Sequence, residues 1–399
     1  MEQKMQHELD SLFEKNRDIF STAAGIRRCN DGFTWRGASG FAYAGKGTEM
    51  TAETTFYASG ITKMYTAVCI MILEERGKLS LEDPLSRYIP AEVMHNLHIY
   101  KKTDYSDSIT LYHLLSHTSG LPDYFAEKIR KKRSLYDRFI RSRDLKWNWR
   151  EAVGTSKKEL KPKFPPRDRE NVKFTSTVHY SDTNYQLLGA VIEQVTGKPL
   201  ENVYHSYIIK PLRLKSTYLY RREEPPTAEE KSEVPYSSRE GTPAHIYYSQ
   251  RPLFLDKTID SLWADGGIVT NVPDSLVFLC SLMEGKLFKR NTTLEKMQQW
   301  WKTSLVSPFR QGLGLMQYAP LRVFSPLSGS RELIGYCGYF GTFLFYSVVD
   351  RVCIAGTLNQ VSNRKRIFRL ILRFLRIARK SLPEQARPSR VHRPGTQAE

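Results

Sequence analysis

The sequence predicts an α/β chain in which an antiparallel sheet is flanked by helices and interrupted by a mainly helical insert. Three observations predict it. Strand-like runs lie near both ends, at 32–45 and 341–358. The stretch between them alternates apolar helical periods with basic, proline-bearing loops. At 399 residues, with 40% hydrophobic and 12% aromatic content, the chain can bury a substantial core and hold two domains. The expected division is an α/β domain from 1–90 plus 236–382, a helical insert from 91–235, and a disordered basic tail from 383–399.

Leu9, Leu12, Phe13, Ile19 and Phe20 recur at helical spacing and open the chain with a helix. Alternate aromatics between glycines, at 32–37 and 40–45, read as a β-hairpin. Residues 61–76 are apolar, carry no Gly or Pro and stop at Gly77, which reads as a buried helix with a glycine stop. Pro84 and Pro90 punctuate a loop, and 161–166 is another. A helix over 185–195 closes at Thr196-Gly197, and the polar stretch 222–245 marks a border. A helix over 274–284 follows Gly266-Gly267. Strands over 341–349 and 352–358 are joined by Asp350-Arg351, and a helix over 364–380 comes last.

Charge separates into patches. Lys plus Arg number 60 against 42 Asp plus Glu, for a net +18. Residues 125–173 hold 17 basic against 7 acidic residues, and 364–399 hold 11 against 2, so the remaining body is nearly neutral. No zinc-finger spacing, basic zipper or single-strand aromatic signature accompanies the patches, so no nucleic-acid partner is expected. The 364–380 helix is amphipathic and reads as the last helix of the fold. A weak contact with an anionic membrane is its alternative use.

The start is polar, without a basic-then-apolar leader, and the apolar run 67–73 is too short to span a bilayer. Five cysteines without a CxxC indicate neither a disulfide framework nor a zinc site. Cys69 and Cys280 read as core thiols. His113 and His117 stand four apart but lack a third ligand, so no metal and no cofactor is expected. Trp147 and Trp149 read as packing residues of the insert, with the lining of a substrate cleft as the alternative. Together these features imply a cytoplasmic protein.

Chemistry concentrates in one constellation. Residues 56–67 read Phe-Tyr-Ala-Ser-Gly-Ile-Thr-Lys-Met-Tyr-Thr-Ala, at the start of the apolar helix. Residues 109–122, from Ile109 through His117-Thr118-Ser119-Gly120 to Pro122, form a second motif, and Tyr180-Ser181-Asp182 opens a third. Gly266-Gly267, Gly312-Leu313-Gly314 and Tyr336-Cys337-Gly338 complete the series. These motifs, in this order, resemble the serine β-lactamase, penicillin-binding-protein and esterase superfamily, most of all its class C and esterase-like branch. The resemblance covers roughly 20–380 and implies the β-lactamase/transpeptidase-like fold.

It also implies a mechanism. A serine at a helix N-terminus is activated by a lysine that other charges and burial keep partly neutral. A tyrosine relays the proton, and two backbone N–H groups hold the oxyanion. By resemblance the lysine is Lys63, the tyrosine is Tyr180, and the N–H groups are those of Gly60 and Tyr339.

The sequence then departs from the pattern. Counting from Phe56, the lysine falls on Lys63 as expected, but the serine position falls on Gly60, with Ser59 one place early. Three readings stay open. Gly60 replaces the nucleophile, by natural loss or by engineering, and no acyl-enzyme forms. Alternatively, Ser59 serves in a shifted register, since i+3 and i+4 lie about 60° and about 40° either side of one helix face. In the third, Cys337 is the nucleophile. Asp182 stands where Asn is usual, and a carboxylate there favours the protonated amine and weakens it as a base. Tyr336 replaces the usual Lys or His and removes the cation that would hold a substrate carboxylate. The expected activity is therefore hydrolysis or acyl transfer on an uncharged ester, amide or peptide-like acyl substrate, with a non-catalytic binding protein as the competing class.

Overall fold

The computed structural model describes residues 1–29, 31–45, 47–129, 133–168, 178–220, 242–304, 307–319, 332–361 and 364–380. Its centre is an antiparallel sheet built from both ends of the chain. The strands are β1 (Ser21–Arg28), β2 (Thr34–Gly40), β3 (Trp301–Lys302), β4 (Phe309–Gln311), β5 (Met316–Tyr318), β6 (Leu333–Cys337), β7 (Thr342–Ser347) and β8 (Val352–Thr357). Their spatial order is β3-β4-β5-β6-β7-β8-β1-β2. The closure of the sheet is the pairing of β1 with β8, from Ala23 opposite Thr357 to Arg28 opposite Val352. β6 and β7 form a hairpin with Tyr336 opposite Leu344 and Cys337 opposite Phe343.

Helices cover both faces, which is why β6, β7 and β8 read as nearly continuous apolar runs. On one face lie α1 (Glu2–Lys15) and the C-terminal helix, α6 (Arg364–Lys380). Phe374 meets Trp35 edge-on at 5.4 Å, and Phe368 lies 5.4 Å from Phe345. The apolar side of α6, including Ile367, Ile371 and Phe374, is thus buried on the sheet as the sequence predicts. On the other face lies α5 (Val272–Met283), whose N-cap Asn271 accepts a hydrogen bond from the Asp274 N–H. β1 is built of small residues because α5 comes close: a Cβ at Gly25 would lie 2.7 Å from Val272.

Beyond α5 come α2 (Thr62–Glu75), α3 (Asp182–Thr196) and α4 (Asp256–Gly266). α2 is apolar nearly all round and buried from Thr62 to Leu73. α3 packs directly on it, so one core runs from the sheet through α2 into the 91–235 stretch. A second, aromatic cluster joins Tyr124, Phe125, Phe139 and Trp147 to Phe340 at the β6–β7 turn.

Several expectations need correction. The hairpin is β1–β2, not a pairing of the two aromatic runs. β1 lacks aromatic and β-branched alternation because it is buried on both faces, and at Gly40 (φ +87°) the chain leaves the strand. The first helix ends at Lys15, before Ile19-Phe20. The 185–195 helix starts earlier, at Asp182, and closes on left-handed Gly197 as expected. The short strands β3 to β5 escaped notice because runs of two or three residues show no period. Most of the 222–245 border and the whole 383–399 tail lie outside the described residues.

The tightest backbone approach in the sheet is at Gly335, where a Cβ would stand 1.9 Å from the Leu344 carbonyl oxygen. Gly335→Ala should therefore lower the unfolding free energy by more than about 2 kcal/mol, read from the urea midpoint. A substitution without effect would show that the hairpin opens freely.

Candidate active site

The site is assembled where α2 begins. Phe56–Tyr57 is a short strand paired with Ile268–Thr270, and the Ala58 N–H donates to the Ile268 carbonyl at 2.7 Å. The Ala58 carbonyl in turn accepts from Thr342 Oγ1 at 2.9 Å, and Thr62 Oγ1 accepts from the Ile268 N–H at 3.0 Å. These bonds hold the 3-10 turn Ser59–Ile61 between the end of β6 and the residues after α4.

Ser59 is 3% exposed and adopts a left-handed backbone, φ +53°. Non-glycine residues in that region carry strain that neighbours must hold in place. Its Oγ accepts a hydrogen bond from the Tyr339 N–H at 3.1 Å. The fit leaves no side-chain room across the gap: a Cβ on Gly338 would lie 2.6 Å from Ser59 Cβ and 2.5 Å from Thr342 Oγ1. Gly60 differs. Its φ is not in the left-handed region, and an added Cβ would meet the Cys337 carbonyl oxygen at 3.3 Å and the Tyr336 ring at 3.4 Å. The backbone therefore does not demand glycine at position 60, and a serine fits there with shifts of a few tenths of an ångström.

Lys63 is 1% exposed. Its Nζ pairs with Asp182 Oδ1 at 2.7 Å, donates to the Asp265 carbonyl at 2.7 Å, and lies over the rings of Tyr180 and Tyr185 at 5.3 and 5.5 Å. Asp182 occupies the first turn of α3, where the helix dipole favours a negative charge. No hydrogen bond joins Lys63 to Ser59 among the described residues. Two more buried carboxyls surround the pair. Burial, reinforced by the charge of Asp182, pushes both Asp123 and Asp265 well above the usual carboxylate range. Asp123 Oδ1 accepts from the N–H groups of Phe125 and Asp182, while Asp265 Oδ2 accepts from the Tyr124 hydroxyl and Gln186 Nε2.

The aromatic members close the site. Tyr180 precedes α3, is half-buried, and lies against His117 at a centroid distance of 4.7 Å with the rings tilted by 31°. Tyr336 is 1% exposed, and its hydroxyl, beside Tyr180, finds no hydrogen-bond partner of good geometry among the described residues. Burial, with the Asp182 charge contributing, pushes both phenols well above their ordinary range, so both stay protonated at neutral pH. Tyr339 is half-buried and rests against Tyr136 and Phe125. The alternation of β6 puts the Cys337 side chain on the opposite face from Tyr336, so its thiol points away from Lys63.

The structure thus brings Ser59, Gly60, Lys63, Tyr180, Asp182, Tyr336, Gly338 and Tyr339 together and leaves the Cys337 thiol outside. Sequence reasoning missed Asp123, Asp265, Gln186 and His117. Asp123 directly follows the Gly120-Leu121-Pro122 turn and Asp265 directly precedes Gly266-Gly267, but no local pattern announces a buried carboxyl. His113 and His117 do not converge. His113 Nε2 faces Asp168, while His117, at φ +60°, turns its Nδ1 to the Ser181 N–H and Asn184. Trp147 packs in the aromatic cluster as expected.

Burial, with the charges of Lys63 and His179, drives His117 well below the usual histidine range. Folding therefore keeps it neutral, while the unfolded chain takes up a proton below about pH 6.5. Its contribution is fully present above that pH and is lost as the pH falls. The urea midpoint should drop between pH 7 and pH 5, and His117→Gln should flatten that drop. An equally steep drop in the variant would assign it to other groups.

Comparison with known proteins places this geometry. The beta-lactamase family profile matches residues 9–376. The chain is 26% identical over 268 residues to a teichoic acid D-alanine hydrolase of Staphylococcus aureus, covering 67% of this chain and 55% of that protein. It is 28% identical over 249 residues to esterase EstB of Burkholderia gladioli, covering 60% and 56%. The chain thus spans about half the length of these curated relatives. Among solved structures, the D-amino acid amidase of Ochrobactrum anthropi superposes with a TM-score of 0.71 at 21% identity, over 95% of this chain and 98% of the other.

Proposed function

This chain belongs to the beta-lactamase family and has its hydrolase fold, and from that premise we propose that it is a non-acylating member. It keeps the site for a small acyl or aminoacyl ester or amide without a carboxylate but lacks the nucleophile. One observation carries the reading. Position 60, whose side-chain direction leads toward Tyr336 three residues before Lys63, is a glycine, and the neighbouring Ser59 hydroxyl is turned to the Tyr339 N–H. By the family resemblance that N–H is one of the two oxyanion donors, so Ser59 occupies a donor that an acyl-enzyme would need. Lys63 Nζ is paired with Asp182 and bonded to the Asp265 carbonyl, and it makes no hydrogen bond to a hydroxyl among the described residues.

The ligand class follows from two supports. The curated relatives are named for release of D-alanine and for ester cleavage, and the superposing structure for D-amino acid amides. Tyr336 offers a neutral phenol where a cation would select a carboxylate. Small aminoacyl esters and amides fit both. A cytoplasmic setting belongs to the same proposal. No helix among the described residues is long and apolar enough to cross a membrane.

Turnover of chromogenic esters tests the reading. The unmodified chain should show none above background. Gly60→Ser should acquire it, and adding Asp182→Asn should raise it further by freeing Lys63, within the factor of about 10²–10⁴ that a positioned base supplies. Turnover by the unmodified chain that vanishes in Ser59→Ala would instead establish Ser59 as a shifted nucleophile. That second reading draws its support from the strained backbone of Ser59, a feature that collects at functional sites.

A further inference from the structure

Three cysteines that lie far apart in sequence meet on the α5 side of the sheet. Cys29 follows β1, Cys353 lies in β8 and Cys280 in α5, and their sulfurs all lie within 4.8 Å of one another. Cys280 is buried in the core, as the sequence suggests, and there it lies beside two further thiols. The sheet register explains the meeting. Arg27 stands opposite Cys353, and the Cys29 N–H donates to the Arg351 carbonyl, so Cys29 is the diagonal neighbour of Cys353 on the same face. That face is covered by α5, which delivers Cys280. Cys353 and Cys280 are buried and Cys29 is half-buried, which leaves a path from solvent to the third sulfur.

We infer that Cys29, Cys280 and Cys353 form a binding site for one thiophilic metal ion, Zn²⁺ or Cu⁺. Zinc–sulfur bonds of ~2.3 Å place ligand sulfurs ~3.8 Å apart, so the cluster, whose sulfurs lie within 4.8 Å, needs to tighten by at most about an ångström. Soft thiolates select Zn²⁺ and Cu⁺ over the hard cations. The charge is also provided for. Three thiolates with either ion carry a net negative charge, and the guanidiniums of Arg27 and Arg351 lie close enough to act on Cys29. No His, Asp or Glu joins the group among the described residues, so the ion would be three-coordinate or would complete its shell with water on the Cys29 side. The Lys63 site uses none of these residues, so this inference is independent of the proposed function.

The test uses the full-length, reduced protein after dialysis against a chelator, titrated with Co²⁺ as a spectroscopic stand-in for Zn²⁺ and, separately, with Cu⁺ buffered by bicinchoninate. One ion per chain is expected. With Co²⁺ a thiolate charge-transfer band should appear and be displaced by Zn²⁺, and the tighter of the two competitions identifies the preferred ion. Cys29→Ser, at the half-buried position, should weaken binding by at least about tenfold. Cys69→Ala, a buried thiol outside the cluster, should leave it intact, with circular dichroism confirming that both variants fold. Absence of the thiolate band together with no stoichiometric Cu⁺ uptake would overturn the inference. So would binding unchanged in Cys29→Ser, or a reduced protein that binds neither ion and instead loses two hydrogens in air to form a disulfide within the trio.

Discussion

The site is organised around one buried cation. Lys63 is almost wholly removed from water, and an isolated ammonium there would cost several kcal/mol. The structure meets that cost with the Asp182 carboxylate, the Asp265 carbonyl and the faces of Tyr180 and Tyr185. Asp182 and Tyr185 come from α3 and Asp265 from the end of α4, so these contacts tie α2 to both helices. The surrounding acids follow from the same balance. With Asp182 answering Lys63, further negative charge is disfavoured, and burial drives Asp123 and Asp265 toward their neutral forms.

The proposed non-acylating role draws on the same arrangement. Lys63 Nζ is engaged by a carboxylate 2.7 Å away and by the Asp265 carbonyl, and not by a hydroxyl among the described residues. The substitutions then act together. Gly60 removes the hydroxyl on the Lys63 side, Ser59 turns its own hydroxyl to the Tyr339 N–H, and Tyr336 replaces a cation with a neutral phenol. Gly338 stays glycine because Ser59 fills the space a side chain would need.

Much of the fold was legible in the sequence where local pattern carries the signal. α2 announced itself by an uninterrupted apolar stretch ending at Gly77, α6 by its one apolar face, and β7–β8 by two runs meeting at Asp350-Arg351. β1 was illegible because a strand buried on both faces beside a close helix uses small residues and loses its alternation. At the site, ordered motifs located Lys63, Tyr180, Asp182 and Tyr336. They said nothing of Asp123, Asp265 or the cysteine trio, whose proximity is made by sheet register and helix placement alone. What bears on the three readings at Ser59, Gly60 and Cys337 is likewise visible only in three dimensions: a left-handed backbone, a side-chain direction and the pleat of β6.

The measurement that bears most directly on the central claim is intact mass after exposure to a fluorophosphonate, which marks an activated serine covalently. An unchanged mass is expected for the unmodified chain and a single adduct for Gly60→Ser. A stoichiometric adduct on Ser59 of the unmodified chain would contradict the non-acylating reading.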